Sequence, residues 1–324
     1  MLTYDKYTID STGAFLIGEL ERLDQTLHEP LYNVTWGRDI DLREDVSIAD
    51  EVSSFTNSSF GTPGTPNPKG KNWIGKNSNA IAGPELDIGK TSSPLYLWGI
   101  EISYTIPELL SAQQMGRPVD AQKYQAMQIK YQMDIDEMVY IGDTDLGKYG
   151  LLNSDQVTSA SVATGDSGTT EWTTKTADEI LEDVNSLLQS CWEAAAYAVC
   201  PSKLLLPPAQ FAYITSQKVS NAGNISILQF LEDNSISLKI NGKKLDIQPC
   251  KWLTGCGTPA GSPEVATDRM VCYSQDKNRV RYPLVPLQRT PLEYRSIYHL
   301  TTYFGRLGVM EIVYPETLYY ADGI

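Results

Sequence analysis

Histidine is nearly absent from this 324-residue chain, which has two, and cysteine is sparse, with five. Cys191, Cys200, Cys250, Cys256 and Cys272 are odd in number and include no Cys-x-x-Cys pair. A structural zinc site needs four soft ligands in tight pairs, so neither a metal centre nor a disulfide framework is expected. Reduced thiols packed as small core residues are expected instead. Long apolar runs are also missing: none approaches the ~20 residues that cross a bilayer. MLTYDKYTID lacks the basic and then apolar regions of a signal peptide, so the protein is expected to begin life in a cytoplasm without a membrane partner. Basic charge is the third deficit. Lysine and arginine number 26 against 40 aspartates and glutamates, a net charge of -14. Such a surface is repelled by phosphate backbones and anionic lipid, which argues against direct, salt-sensitive nucleic-acid binding.

What is present is enough for a substantial core. Hydrophobic residues make up 41% of the chain, and at ~150 residues per domain the length suits about two domains. Phe15, Leu16, Leu20, Leu23 and Leu27 predict a helix over 13–28, stopped by Pro30. Ile40 and Leu42, then Val46 and Ile48, alternate as in a strand, as do Tyr96, Trp98, Ile100, Ile102 and Tyr104 within Leu95–Ile106. Between these stretches lies FGTPGTPNPKGKNWIGKNSNAIAG, residues 60–83, rich in Gly, Pro, Asn and Lys. Such a segment does not offset its own ordering entropy. Together they predict a two-stranded arm of about sixteen residues per strand, ~50 Å long, against a radius of gyration near 20 Å. A lone hairpin is marginal in water, so this one is expected to lie on another subunit; the alternative reading of the segment is a disordered surface insertion.

Pro107–Met115 predicts a short helix, and Arg117-Pro118-Val119-Asp120 restarts another. Tyr124, Met127, Tyr131, Ile135 and Met138 then form one apolar stripe on a rod ~30 Å long, with Lys123, Gln125, Gln132 and Asp136 on the opposite face. Gly142 ends the rod. After a Ser/Thr/Gly-rich connector, Thr176-Ala-Asp-Glu179 makes a capping box and opens an alternating α/β region. Lys203–Leu206 reads as a buried strand, Ala209–Ser220 and Ile225–Glu232 as helices. SLKINGKKLDI reads as a hairpin around Asn241-Gly242, because a type I′ turn favours that pair. From Met270 the chain reads as strands broken by prolines.

Several motifs tempt and fail. Gly70-Lys-Asn-Trp-Ile-Gly75-Lys76 has P-loop spacing, but Asn77 stands where the magnesium-binding hydroxyl belongs, and neither a strand before nor a helix after is available. Gly165-Asp166-Ser167-Gly168 matches the tetrapeptide around a trypsin-like serine. Its chemistry needs a histidine base, and the candidates are His28, on the N-terminal helix, and His299, C-terminal to the serine. Asp143-Thr-Asp145 begins like a calcium loop, but Gly147 and Lys148 break that pattern, so the aspartates are read as turn caps. Asp134, Asp136 and Glu137 are read as a solvated face, not a general acid and base. No catalytic residue, cofactor or metal site is predicted.

Gly142-Asp143, Gly147 and Gly150-Leu151-Leu152-Asn153, directly after a long helix, resemble the junction after the spine helix in major capsid proteins of tailed bacteriophages, the HK97-like fold family. Arg306-x-Gly308-Val309, Tyr314-Pro315 and the ending Leu318-Tyr-Tyr-Ala-Asp-Gly-Ile324 are similar to that family's closing strand. The resemblance covers nearly the whole chain in element order. It implies an α+β fold with an N-terminal arm (1–44), an extended β-hairpin loop (45–103), and a peripheral domain (104–174) with a spine helix at 120–141. An α/β axial domain (175–280) and return strands (281–324) follow.

The resemblance further implies a structural subunit of pentamers and hexamers in an icosahedral shell, enclosing double-stranded DNA without reading its sequence. The partners implied are its own copies, with portal and scaffolding or decoration proteins, in a virion assembled in a bacterial cytoplasm. Phe60, Asn67, Lys69, Lys71, Trp73 and Lys76 would belong to the inter-subunit arm. Some members cross-link subunits through lysine and asparagine, but no local motif carries that chemistry onto Lys69, Lys71, Lys76 or Lys90. The short N-terminal arm implies separate scaffolding or none. Two other readings compete: an encapsulin-like compartment shell with the same fold, and a serine hydrolase built on Ser167.

Overall fold

In the computed structural model the described residues are 32–61, 76, 85–115, 119–220, 224–258 and 266–324. The predicted helix over 13–28, with His28, lies outside them. Val34–Ile324 forms one compact unit.

Two sheets carry this unit. One has the strand order β7 (Thr158–Ser161), β15 (Leu318–Asp322), β10 (Arg269–Tyr273), β8 (Lys203–Leu206) and β9 (Asp246–Pro249). Strands β8 and β10 are buried along their whole length. Side chains alternate across a strand, and that alternation makes this sheet a wall between two cores. Leu204, Leu206, Met270 and Cys272 face one core with Ile180, Val184, Leu187 and Leu188. Leu205, Val271 and Tyr273 face the other. The residues from Ile180 to Leu188 come from helix Ala177–Ala194, whose capping box is formed: Glu179 N donates to Thr176 Oγ1 at 3.4 Å and Thr176 N to Glu179 Oε2 at 2.7 Å.

The second sheet runs β1 (Asp41–Arg43), β11 (Val280–Arg289), β13 (Tyr298–Leu307) and β12 (Glu293–Arg295), with β14 (Glu311–Ile312) on β11 and β4 (Tyr96–Thr105) on β13. The long helix Val119–Tyr140 packs on it. Tyr131, Ile135, Val139 and Tyr140 enter the shared core, the Tyr131 ring lies 4.8 Å from that of Trp98, and Met127 is buried. Met138 is half-buried, whereas Tyr124 is exposed, against Tyr303 at 5.5 Å.

Three expectations need correction. The arm is made of β2 (Val52–Gly61) and β3 (Glu85–Pro94), paired from Val52↔Pro94 to Gly61↔Glu85. Ile40–Ile48 is not its first strand, because β1 pairs with β11 and residues 44–51 form no strand, and Leu95–Ile106 is not its second, because β4 pairs with β13 along all ten residues. β3 escaped notice because it is exposed on both faces over most of its length, and a strand with no buried face needs no period of two. The arm is thus about ten residues per strand, ~33 Å.

Asp136 is not on a solvated face: it is 0% exposed and accepts hydrogen bonds from Thr35 N (3.0 Å), Trp36 N (3.2 Å) and Trp252 Nε1 (2.8 Å). Asn241-Gly242 is no hairpin turn. Ile236–Asn241 is a helix and Gly242, at φ 69°, is its left-handed C-cap, donating to Leu238 O at 3.1 Å. A glycine at positive φ ends a helix as readily as it makes a turn.

All five cysteines are free, and all but Cys256 are buried. Burial pushes the Cys200 thiol up to about 11 and the Cys250 thiol up to about 12, so both stay protonated and unreactive near neutrality.

Candidate functional site

A helix leaves its last carbonyls without intrahelical partners. After Tyr140 the chain makes a small two-stranded turn, β5 (Gly142–Asp143) against β6 (Lys148–Tyr149), and returns to the helix end. There Leu151 N donates to Val139 O (2.8 Å), Leu152 N to Tyr140 O (2.9 Å) and Gly150 N to Ile141 O (3.0 Å). Asn153 completes the arrangement, its Nδ2 donating to Ile141 O at 2.8 Å and its Oδ1 accepting from Gly150 N at 2.8 Å.

This return demands glycine twice. Gly142 sits at φ 81°, and a Cβ there would overlap Lys148 O; a Cβ on Gly150 would overlap the Tyr140 carbonyl. Asp143 Oδ1 accepts from Asp145 N (2.9 Å) and Leu146 N (3.1 Å), closing the turn, and Gly147 stands at φ 61°. Leu151 and Leu152 are wholly buried. Arg269 ties them to the last strand: it pairs with both Asp322 oxygens (2.6 and 2.8 Å) and donates from Nη1 to Leu152 O at 2.5 Å. Tyr320 OH donates to Leu151 O at 2.5 Å.

A second set of buried charges holds the root of the arm. Glu311, with a fully buried side chain, accepts from Arg281 Nε (2.7 Å) and Arg43 Nη1 (3.2 Å) and also from Ser53 Oγ. Arg43 in addition reaches Ser54 O at 3.0 Å and Asp45 at 2.6 Å. The Asp45 pairing holds the Arg43 guanidinium above its ordinary value and the Asp45 carboxyl below its own. Arg306 straddles the two strands where they emerge, donating to Ile48 O (2.8 Å) and Leu95 O (3.0 Å).

Beyond the root the arm has no core. Leu86 and Ile88 are each 62% exposed, in a strand whose first eight residues are all exposed. Phe60 contributes backbone pairing with Leu86, Lys76 is exposed, and Asn67, Lys69, Lys71 and Trp73 lie outside the described residues.

The third buried ion group was not foreseen. Lys203, on the fully buried β8, pairs with Asp39 (3.0 Å) and Asp246 (3.1 Å) and donates to Arg38 O (2.8 Å). Asp39 also accepts from Tyr140 OH. The group fastens the segment Trp36–Asp39 to the five-stranded sheet and to the end of the long helix. A lysine opening a Leu-Leu-Leu strand was its one legible sign.

The catalytic candidates come apart. Ser167 Oγ lies among Thr169 and Thr174 hydroxyls, 3.2 Å from each. His299 is in β13, paired with Tyr104, its ring against Tyr294 at 4.7 Å. Asp166 offers its backbone N–H to Glu179 at 2.6 Å and does not orient a base. Among the described residues the hydrolase reading therefore has no base or relay to stand on. Among the described residues no group of histidine, cysteine and carboxylate side chains could hold a metal ion, and no helix is long and apolar enough to cross a membrane.

Comparison with known proteins agrees with this picture. A family model described as Major capsid protein matches residues 70–324. No curated protein matches the chain. Among solved structures the chain is similar to the capsid of Myoviridae Phage XM1, with a TM-score of 0.75 and 14% identity over 95% of this chain and 98% of that one. It is also similar to the capsid of an empty GTA particle (TM-score 0.59, 10% identity, 99% of each chain). A third likeness is to Gordonia phage Cozz (TM-score 0.55, 11% identity, 96% of this chain and 93% of that one). At such identities the likeness is one of fold, the α+β arrangement of phage capsid subunits.

Proposed function

The chain belongs to the major capsid protein family, and from that premise we propose that its copies assemble as pentamers and hexamers into an icosahedral shell around double-stranded DNA. The observation that carries this reading is the arm: a hairpin rooted by Arg43, Arg281, Arg306 and Glu311, yet exposed over the first eight residues of its second strand. An isolated two-stranded hairpin is marginal in water. It gains its missing contacts on a neighbouring subunit.

In this reading Val52–Pro94 is the extended loop and Val119–Tyr140 the spine. The region around the five-stranded sheet, roughly 175–280, meets its copies at the symmetry axes, and 281–317 returns to the spine before β15 rejoins the five-stranded sheet. Such heterologous contacts close into rings when the rotation permits. A net charge of -14 suits a container that holds DNA without gripping it. The protein resides in the virion, assembles in the bacterial cytoplasm, and meets portal and scaffolding or decoration proteins there.

Negative-stain microscopy of the purified chain tests this reading. Rings of five and six, or uniform shells that protect DNA when isolated from infected cells, are expected. A monomer that persists at high concentration, or shells filled with protein cargo in place of DNA, would contradict it.

A further inference from the structure

Asn241-Gly242 is the only Asn-Gly pair in the chain, and both residues are exposed. In an open peptide such a pair carries its own chemistry. The backbone nitrogen after an asparagine can attack the side-chain carbonyl carbon, and glycine puts no Cβ in the way of that approach.

The folded subunit ties down each group that would take part. Gly242, at φ 69°, donates its N–H to Leu238 O at 3.1 Å. Asn241 Nδ2 donates to Ser237 Oγ and to Cys200 O, each at 3.2 Å. Ser237 and Cys200 are buried, so the amide of this exposed asparagine is anchored from the inside. Its bond to Cys200 O fastens the end of helix Ile236–Asn241 to the chain just ahead of β8. A helix of six residues is too short to stand on its own ladder and depends on such outside contacts. At its other end Ser235 Oγ accepts from Leu238 N at 3.4 Å.

We propose that Asn241-Gly242 is a guarded deamidation site, held back from ring closure by the helix C-cap and converted whenever that cap opens. In the open state the Gly242 nitrogen bonds to Asn241 Cγ, the Cγ–Nδ2 bond breaks, and ammonia leaves with the proton that the Gly242 nitrogen gives up. Water then opens the cyclic imide at either carbonyl, leaving aspartate or isoaspartate. Water is the sole co-reactant, and nothing is oxidised or reduced.

The product does not refit the cap. A carboxylate only accepts, so it meets the Cys200 carbonyl with no proton between them, and it places negative charge at the negative end of a helix. Isoaspartate also lengthens the backbone by one carbon. Opening is thus followed by a modification that keeps the helix end open, which makes the release one-way.

The full chain, incubated folded and in concentrated guanidinium chloride at the same mildly alkaline pH and mapped by peptide mass spectrometry, tests the guard. Conversion at Asn241 should be at least about tenfold slower in the folded chain, which corresponds to ~1.4 kcal/mol of cap opening. Equal rates in the two states would overturn the guard, and no conversion in the unfolded chain would overturn the site. Ser235→Ala removes the cap at the far end of the helix without touching the reacting groups. It should speed conversion in the folded chain about fivefold and leave the unfolded rate unchanged; acceleration in both states, or in neither, would again overturn the guard. Asn241→Asp, one of the two products, should raise hydrogen exchange at the Gly242 amide about tenfold. Exchange as slow as in the parent would overturn the one-way release.

Discussion

The junction after the long helix and the hairpin arm are both turns of chain between larger elements, and they solve opposite problems. At the junction every carbonyl from Val139 to Ile141 finds a donor within the same chain, two glycines accommodate close backbone approaches, and Leu151 and Leu152 are wholly buried. In the arm the backbone pairs with itself while the first eight side chains of β3 are exposed. The junction is complete in one copy; in the proposed reading the arm is completed by a neighbour. Buried contacts thus report what the subunit needs to fold, and exposed regular structure on a braced root reports what it needs from its neighbours.

Substituting glycine in each region is the sharpest way to break this contrast. Gly150→Ala places a Cβ against the Tyr140 carbonyl and should cost about 3 kcal/mol, at the upper end for overpacking a buried site. Gly89→Ala, in the arm, has Asn57 O at 3.9 Å as its nearest neighbour and should change stability by less than about 0.5 kcal/mol, as for ordinary surface sites. Urea unfolding of the unassembled chain measures both, and equal effects would erase the distinction. The root lies between these extremes. Glu311→Ala leaves Arg43 and Arg281 facing each other without their carboxylate. Breaking a buried pair costs about 3–5 kcal/mol; because both arginines keep some contact with water, about 2 kcal/mol is expected here, with faster proteolysis at the base of the arm.

Leu86→Ser with Ile88→Ser should leave urea unfolding within about 0.5 kcal/mol of the parent while reducing the yield of assembled particles. Loss of stability without loss of assembly would reverse the account of the arm. The smallest effect belongs to the helix cap. Backbone N–H groups of Asp166 and Thr176 hold the Glu179 carboxyl below its ordinary value. A depressed folded pKa gives stability that is present above the unfolded value of ~4.3 and is lost as pH falls through the folded one. Glu179→Gln should flatten the acid limb of a stability-against-pH curve slightly and leave neutral pH nearly unchanged.

How much of this was legible in the residues follows from where burial is one-sided. Tyr131 and Ile135 stood out because a helix with one buried face shows a 3.6-residue period, and Thr176-x-x-Glu179 stood out because a capping box is a local code. Gly142 and Gly150 were visible as a helix stop and a redirection, though the carbonyl pairing that requires them depends on backbone that only folding brings together. Asp136, Lys203 and Glu311 were not legible, because a buried charge looks like a surface charge until its partner, up to 268 residues away in the Arg43 to Glu311 pair, is in place. β3 was missed for the opposite reason: no described residue covers its first eight side chains, so it shows no pattern of covering.

Hydrogen exchange measured on the same chain before and after assembly tests most directly the claim that the arm is completed by a neighbour. Amides of Val52–Gly61 and Glu85–Pro94 should exchange rapidly in the unassembled subunit and become strongly protected in particles, while those of Leu151, Leu152 and β10 stay protected in both states. Arm amides that are equally protected, or equally unprotected, in the two states would contradict it.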